Sequence, residues 1–331
     1  MTSPVDRAPA TPLPDRIHAV PVRYPGRWVS AAVVAVFAAM VVHGLVTNEN
    51  FGWPTVWKYL FTTPVVRGVG WTLLLTIAAM LIAVVLSLAL AVMRDSSNPV
   101  MRTVSWTYVW FFRGTPVYTQ LAFWGFLSVL YPMLALGIPF GPELLHFDTK
   151  TLFTAAWLAA IGLGLNEAAY LSEIVRAGLE SVDHGQAEAA KALGMKDGTI
   201  MRRIVLPQAM RVIVPPTGNE TISMLKTTSL VLAIPFTREL QYATDAIGNR
   251  LYLSIPLLVV ACIWYLAVTS ILMVGQHYLE RYYGRGFEPH GPTEGNRRRR
   301  RAGRQAAINA AHTTPDITVV DDLGRPAGGA A

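Results

Sequence analysis

Long apolar runs separated by short charged intervals set the organisation of the chain. Windows of about 20 residues, the length that crosses a hydrocarbon core, lie near 29–47, 66–93, 114–136, 151–177 and 252–276. A weaker window near 211–236 carries Pro215, Pro216, Asn219, Glu220 and Lys226. Such a segment cannot face lipid along its length, so it is expected to pack against other helices or to line a polar cavity. The pattern predicts an all-α integral membrane protein with about six transmembrane helices. Hydrophobic residues make up 52 % of the chain and charged residues only 15 %, too few charges for a soluble domain of this length.

The basic residues orient the spans. Arg94, Arg102 and Arg113 fall between the second and third windows, and Arg176, Lys191, Lys196, Arg202, Arg203 and Arg211 cluster after the fourth. Both intervals are therefore expected in the cytoplasm. The intervals 48–65, 137–150 and 237–251 hold fewer basic residues and carry Glu49, Glu143, Asp148, Glu239 and Asp245, which places them outside. An even number of spans then puts both termini in the cytoplasm, in line with the run Arg297 to Arg301. That run reads first as a positive-inside tail, with contact to anionic headgroups as the alternative. No base-reading module accompanies it, so nucleic acid is not expected as a partner. Residues 1–27 and 284–331 lack sustained apolar periodicity and read as disordered tails. The first span starts far from the N-terminus without a small-residue cleavage site, so 28–65 is expected to be a retained extra helix with its external loop.

Little in the chain suggests bond-making chemistry. Cys262 is the single cysteine, which excludes an internal disulfide or cysteine metal cluster and leaves packing as its expected role. The histidines lack metal-ligand spacing, and no metal site is expected. No Gly-rich phosphate loop is present, so the chain is not expected to be an enzyme or to bind a cofactor of its own.

The polar interval 181–208 is the most specific segment. Asp183 and Gln186 offer a capping-box-like start, and Gln186 to Leu193 is rich in strong helix formers. Gly194 is placed to end that helix in a left-handed turn. After Asp197-Gly198-Thr199, a second short helix is expected to carry Ile200, Met201, Ile204 and Val205 on one side until Pro207 stops or bends it. The spacing Glu188-Ala189-Ala190, three residues, Gly194, nine residues, Ile204, one residue, Leu206-Pro207 resembles the EAA loop of permease subunits of ATP-binding-cassette importers. The resemblance implies that this loop docks in a groove on the ATP-hydrolysing subunit, with Gly185, Gln186, Glu188, Ala189, Ala190, Gly194, Ile204, Leu206 and Pro207 as coupling residues. It also implies the partners. These are paired ATPase subunits holding ATP and Mg, a second permease subunit, identical or homologous, and an extracytoplasmic solute-binding protein.

The likeness extends on both sides. Arg113-Gly114-Thr115-Pro116 with Gln120-Leu121, Ala169-Tyr170, Glu173, Arg176, Gly178, Gly185-Gln186, Leu206-Pro207-Gln208-Ala209 and Lys226 with Thr228-Ser229-Leu230 are similar to the polar amino acid branch, related to histidine, glutamine, arginine and glutamate importers. It covers roughly residues 66–283. The implied function is translocation of a polar amino acid across the cytoplasmic membrane of a prokaryote. A permease for opines, short peptides or another small polar solute would share the loop, because the loop reports the engine and not the cargo. An ATP-independent secondary transporter or channel, or a membrane scaffold, would not need the EAA spacing.

Several polar residues at membrane depth carry two readings each. Arg113, with Gly114, Thr115 and Pro116 as a turn and helix start, is expected where a helix enters the membrane from the cytoplasm, bracing helix ends. Asn166 and Glu167 fall inside the fourth window after Gly162 and Gly164, where small residues allow close packing. Glu167 would receive a substrate ammonium and Asn166 a carboxylate or side chain; alternatively, Glu167 pairs internally with Lys226 or Arg67. Tyr170 lies on a nearby face, and Glu173 is expected to partner Arg176. In the weaker window Pro215, Pro216 and Gly218 are expected to interrupt the helix and expose backbone groups to a solute. There Asn219, Glu220, Lys226, Thr228 and Ser229 either line the path, with Lys226 for a carboxylate and Thr228 and Ser229 as a gate, or satisfy neighbouring helices.

Overall fold

A computed structural model describes residues 25–138 and 141–284; the two tails, with Arg297 to Arg301, lie outside the described residues. Helix α1 spans Pro25–Thr47, followed by a 3-10 turn at Glu49–Phe51, α2 at Trp53–Tyr59 and α3 at Thr63–Arg94. Next come α4 (Pro99–Gly114), α5 (Val117–Gly125) and α6 (Leu127–Leu130). An antiparallel hairpin, β1 (Met133–Gly137) with β2 (Glu143–Asp148), leads into α7 (Thr149–Leu152) and the long α8 (Ala155–Glu180). The chain continues through α9 (His184–Ala192), α10 (Asp197–Ile200), a π-turn at Met201–Val205 and α11 (Leu206–Thr227). A 3-10 segment, Thr228–Ala233, then α12 (Leu240–Leu251) and α13 (Ser254–Tyr283) complete the described chain.

Among the described residues, four helices are long and apolar enough to cross a membrane: α1 from Gly26, α3, α8 and α13. They differ in what surrounds them. In α8, 67 % of the most apolar stretch is buried against other helices, whereas none of α1 is. Helix α8 is thus the centre of the bundle, and α1 presents its apolar surface outward, as a helix bathed in hydrocarbon does. Helix α3 buries Val65, Val69, Thr72, Leu75, Thr76, Ala79, Met80, Ala83, Ser87 and Leu90, a stripe spaced by three and four residues that lies along one helical face. Gly164 lets α8 approach that stripe closely, since a β-carbon there would sit 2.8 Å from Ile82 Cβ and 3.1 Å from the Ala79 carbonyl. The shared core joins Leu75, Ala79 and Ala83 of α3 to Leu121 of α5, Leu163, Ala168 and Leu171 of α8, Met224 of α11, and Val231 and Ile234 beyond it. A second cluster at the other end joins Val56, Leu60, Val65, Val69, Leu240 and Val260.

Two of the expected spans take another form. The window 114–136 is not one helix: after the expected turn, a break between α4 and α5 at Thr115 (φ −119°, ψ 144°) and Pro116 (φ −65°, ψ 133°), α5 ends at Gly125 and α6 at Leu130. A residue before proline is pushed out of the α region, which accounts for the break. Past α6 the chain turns at Pro132 into the hairpin, so the fold is mostly helical with one two-stranded sheet. In contrast, Pro215 and Pro216 do not interrupt α11, which runs unbroken to Thr227. Burial of Ile213, Ile222, Met224 and Leu225 holds this helix in place, and Gln276 Nε2 of α13 donates 2.8 Å to the Pro215 carbonyl. That bond ties α13 to α11 beside the two prolines. Gly218 leaves α13 room to do so, because a β-carbon there would collide with Gln276.

Candidate functional site

The break between α4 and α5 frees backbone carbonyls inside the bundle, and a small amide network meets them. Gln120 Nε2 donates to the Phe112 carbonyl (3.0 Å), the Thr115 carbonyl (3.1 Å) and Thr115 Oγ1 (2.6 Å). Asn166 Nδ2 donates to the same Phe112 carbonyl and to Gln120 Oε1, both at 3.1 Å. Tyr108 OH adds a bond to the Leu165 carbonyl at 2.7 Å, clamping α4 to α8. A backbone carbonyl left unpaired away from water is costly, so these side chains make the break tolerable. Arg113 is exposed near the end of α4, beside Tyr170 of α8, with its guanidinium 5.2 Å from that ring's centroid.

Around this break lies a cavity of about 500 Å³. Its α4–α5 wall is Arg113, Gly114, Thr115, Pro116 and Val117; α8 contributes Asn166, Glu167 and Tyr170, and α11 contributes Glu220, Ser223 and Thr227. Glu167 is 6 % exposed and its Oε1 has no hydrogen-bond partner. It makes no ion pair with Lys226 or Arg67 among the described residues, which corrects the internal-pair alternative. Lys226 is exposed and absent from this cavity, and Arg67 lines a different one with Trp71, Arg238 and Tyr242. Glu173 does hold Arg176, at 2.9 Å.

The remaining residues of the weaker window divide. Asn219 is exposed outside the cavity, and Ser229 Oγ is taken up by the Lys226 carbonyl at 2.8 Å. Thr228 is fully buried and points to Glu239, whose Oε1 accepts from Thr228 Oγ1 (3.3 Å), Thr72 Oγ1 (2.7 Å) and the Tyr265 hydroxyl. Glu239 Oε2 caps α12 by accepting from Gln241 N at 2.6 Å. Sequence reasoning took Glu239 for an outside-loop acid, yet it is 1 % exposed and joins four parts of the fold. Its place just ahead of a helix was a legible capping signal; its partners were not. Cys262, expected as a packing residue of an apolar span, is exposed on α13.

The loop after α8 forms a compact foot. Asp183 Oδ1 accepts from Gly185 N at 2.7 Å and starts α9. Gly194 ends it at φ +77°, where Met195 N donates to the Ala190 carbonyl (3.1 Å) and Gly194 N to the Lys191 carbonyl (2.9 Å). This paired closure is the Schellman arrangement. Ala190 and Ile200 pack inward at 3 % exposure each, while Gly185, Gln186, Glu188, Ala189, Leu206 and Pro207 face outward and Ile204 is half-buried. Met201 is exposed as well, not on the packed side. Pro207 does not stop the second helix: the π-turn at Met201–Val205 precedes it and α11 carries on. A wide turn is a recognised source of helix bending and takes up the donor that proline lacks.

The comparisons with known proteins point the same way. Residues 83–283 match the family model described as the binding-protein-dependent transport system inner membrane component. The arginine transport system permease protein ArgU of Corynebacterium glutamicum is 51 % identical over 278 residues, covering 84 % of this chain and 86 % of that protein. The histidine/lysine/arginine/ornithine transport system permease protein HisM of Salmonella typhimurium is 36 % identical over 219 residues, 66 % of this chain and 89 % of its own length. Among solved structures, a chain from an amino acid ABC transporter with histidines superposes with a TM-score of 0.56 at 31 % identity, covering 67 % of this chain and 95 % of that one.

Proposed function

This chain belongs to the family of inner-membrane components of binding-protein-dependent transport systems, the permeases of ATP-binding-cassette importers, and on that premise we propose that it carries a basic amino acid such as arginine. The ATPase activity of such a system lies in a separate subunit, so this chain supplies a path and a surface for coupling. The observation that carries the cargo reading is the charge around one cavity: two carboxylates, Glu167 and Glu220, and one guanidinium, Arg113. A basic amino acid brings two cationic groups and one carboxylate, which match these charges one for one. A neutral amino acid would leave either buried Glu167 or half-buried Glu220 without a counter-charge, which is unfavourable at membrane depth. ArgU, named for arginine, and HisM, named for histidine, lysine, arginine and ornithine, support the same choice.

In this reading the α9–α10 foot docks on an ATPase subunit that holds ATP with Mg, and Glu188, Gly194 and Leu206 with their neighbours transmit its motion to α8 and α11. A binding protein delivers the cargo from outside, and both termini lie in the cytoplasm. A second permease subunit, identical or homologous, closes the path on the exposed side, where Asn219, Lys226 and Ser229 would then face the cargo. The test is uptake by the reconstituted complex with its binding protein. Losing one hydrogen bond to a charged group costs about 1.5–3 kcal/mol, so E167Q and E220Q should each weaken arginine uptake roughly 10- to 100-fold while the complex still assembles. Unchanged arginine uptake in both assembled variants would sink the cargo assignment and leave the family membership standing.

A further inference from the structure

We propose that the crease between the cytoplasmic end of α3 and the start of α4 binds the phosphate of an anionic phospholipid from the cytoplasmic leaflet. Arg94 is the last residue of α3 and Arg102 lies near the start of α4. Ser105 Oγ, donating to the Leu90 carbonyl at 2.8 Å, fixes α4 against α3 and so holds the two arginines on one side. Arg94 lines two adjoining cavities, one of about 530 Å³ with Trp106, Trp110 and Glu173, and one of about 300 Å³ with Arg102, Thr103 and Trp106. Its Nη1 is buried with no hydrogen-bond partner. Neither Arg94 nor Arg102 makes an ion pair among the described residues, and the one carboxylate on the wall, Glu173, is held by Arg176.

A buried guanidinium nitrogen aimed at no acceptor is a strong demand for an anion, and phosphate oxygens suit a guanidinium's fork of donors. The setting says which phosphate. Trp106 and Trp110 stack at 6.2 Å with rings 9° apart and are 51 % and 62 % exposed, the amphipathic kind of surface that sits at headgroup level. The end of a membrane-length helix with the basic loop that follows it belongs at the cytoplasmic boundary, where basic pockets between helices take acidic headgroups. A basic amino acid is the wrong occupant, since it would bring a cation to two unpaired guanidiniums. Arg113, against Tyr170, stands between this crease and the cavity that holds Glu167 and Glu220. The inference does not depend on the cargo.

The experiment uses the full-length chain in its complex with the ATPase, purified in neutral detergent. Phosphatidylglycerol, phosphatidylcholine or inorganic phosphate is added, and retained lipid is counted by native mass spectrometry alongside the thermal midpoint. Phosphatidylglycerol should be retained and should raise the midpoint, and the other two should not. Each basic residue near an anionic surface contributes about fivefold, so R102Q should weaken retention roughly fivefold and R94Q/R102Q about 25-fold, while R94K keeps most of it. A chain with Arg297 to Arg301 changed to Gln should keep the site. Equal retention by wild type and R94Q/R102Q, or a loss confined to the tail variant, would overturn the proposal. Phosphate acting as well as phosphatidylglycerol would overturn the lipid as its source. If R94Q/R102Q fails to assemble, R102Q decides alone, because Arg102 is exposed and makes no hydrogen bond or ion pair that the fold needs.

Discussion

Replacing Gly194 separates backbone strain from every other effect, because a β-carbon there would meet nothing within 4 Å. The position is left-handed at φ +77° and closes α9 through two backbone hydrogen bonds, from Met195 N and Gly194 N. A side chain costs nothing by collision and something only by φ: about 1–2 kcal/mol for an ordinary L-residue, more for a β-branched one and less for Asn, which tolerates that region. Gly194→Val should therefore misplace the foot in a large share of molecules, since about 1.4 kcal/mol is tenfold in a population and the variant stands at or above that level. Gly194→Asn should stay within about threefold of wild type. The assay is ATP hydrolysis stimulated by loaded binding protein in a reconstituted complex, with membrane insertion checked for both variants. Equal coupling in Val and Asn variants would refute the view that left-handed closure sets the foot, and full coupling in both would remove the foot from the coupling path.

Two other outcomes are expected. Glu239→Leu strips the acceptor from Thr72 and Tyr265 at once, while Thr228 keeps the Leu225 carbonyl, a loss of about 1–3 kcal/mol for each hydroxyl left unsatisfied. Glu239→Gln keeps one acceptor oxygen and should lose much less, so thermal unfolding of the complex should rank wild type, Gln, then Leu; equal midpoints would mean the cluster adds nothing to stability. In a Cys262→Ser background, Leu144→Cys on the exposed hairpin strand β2 should react with an impermeant thiol reagent in intact cells. Lys196→Cys, ahead of α10, should be protected, and the reverse pattern would invert the orientation read from the basic loops.

Periodicity and spacing were enough to place α1, α3, α8 and α13, since an apolar run of membrane length has one way to satisfy its backbone groups in lipid. The same holds for the foot. Asp183 as cap and Gly194 as left-handed stop are local properties of a few neighbouring residues, and the structure realises both. Proline was where local reasoning both failed and succeeded. Pro215 and Pro216 looked like a break but lie in a continuous helix, held by the burial of Ile213, Ile222, Met224 and Leu225 and tied to α13 by Gln276, 61 residues away. Pro116 looked like a helix start after a turn, and α5 does begin there; what was not legible is that Gln120 and Asn166 stand ready for the Phe112 carbonyl.

Whether a proline breaks a helix thus depends on the packing that the rest of the bundle brings to it. The candidate cavity has the same origin. Asn166, Glu167 and Glu220 were visible as polar groups in apolar windows, and their cost in lipid made them candidates from the residues alone. That Arg113 would join Glu167 and Glu220 around one space, while Lys226 stayed outside and Thr228 turned to a buried Glu239, was decided only by tertiary packing. The reason is physical: desolvation cost belongs to a residue and its window, whereas charge pairing belongs to distances between helices far apart in sequence.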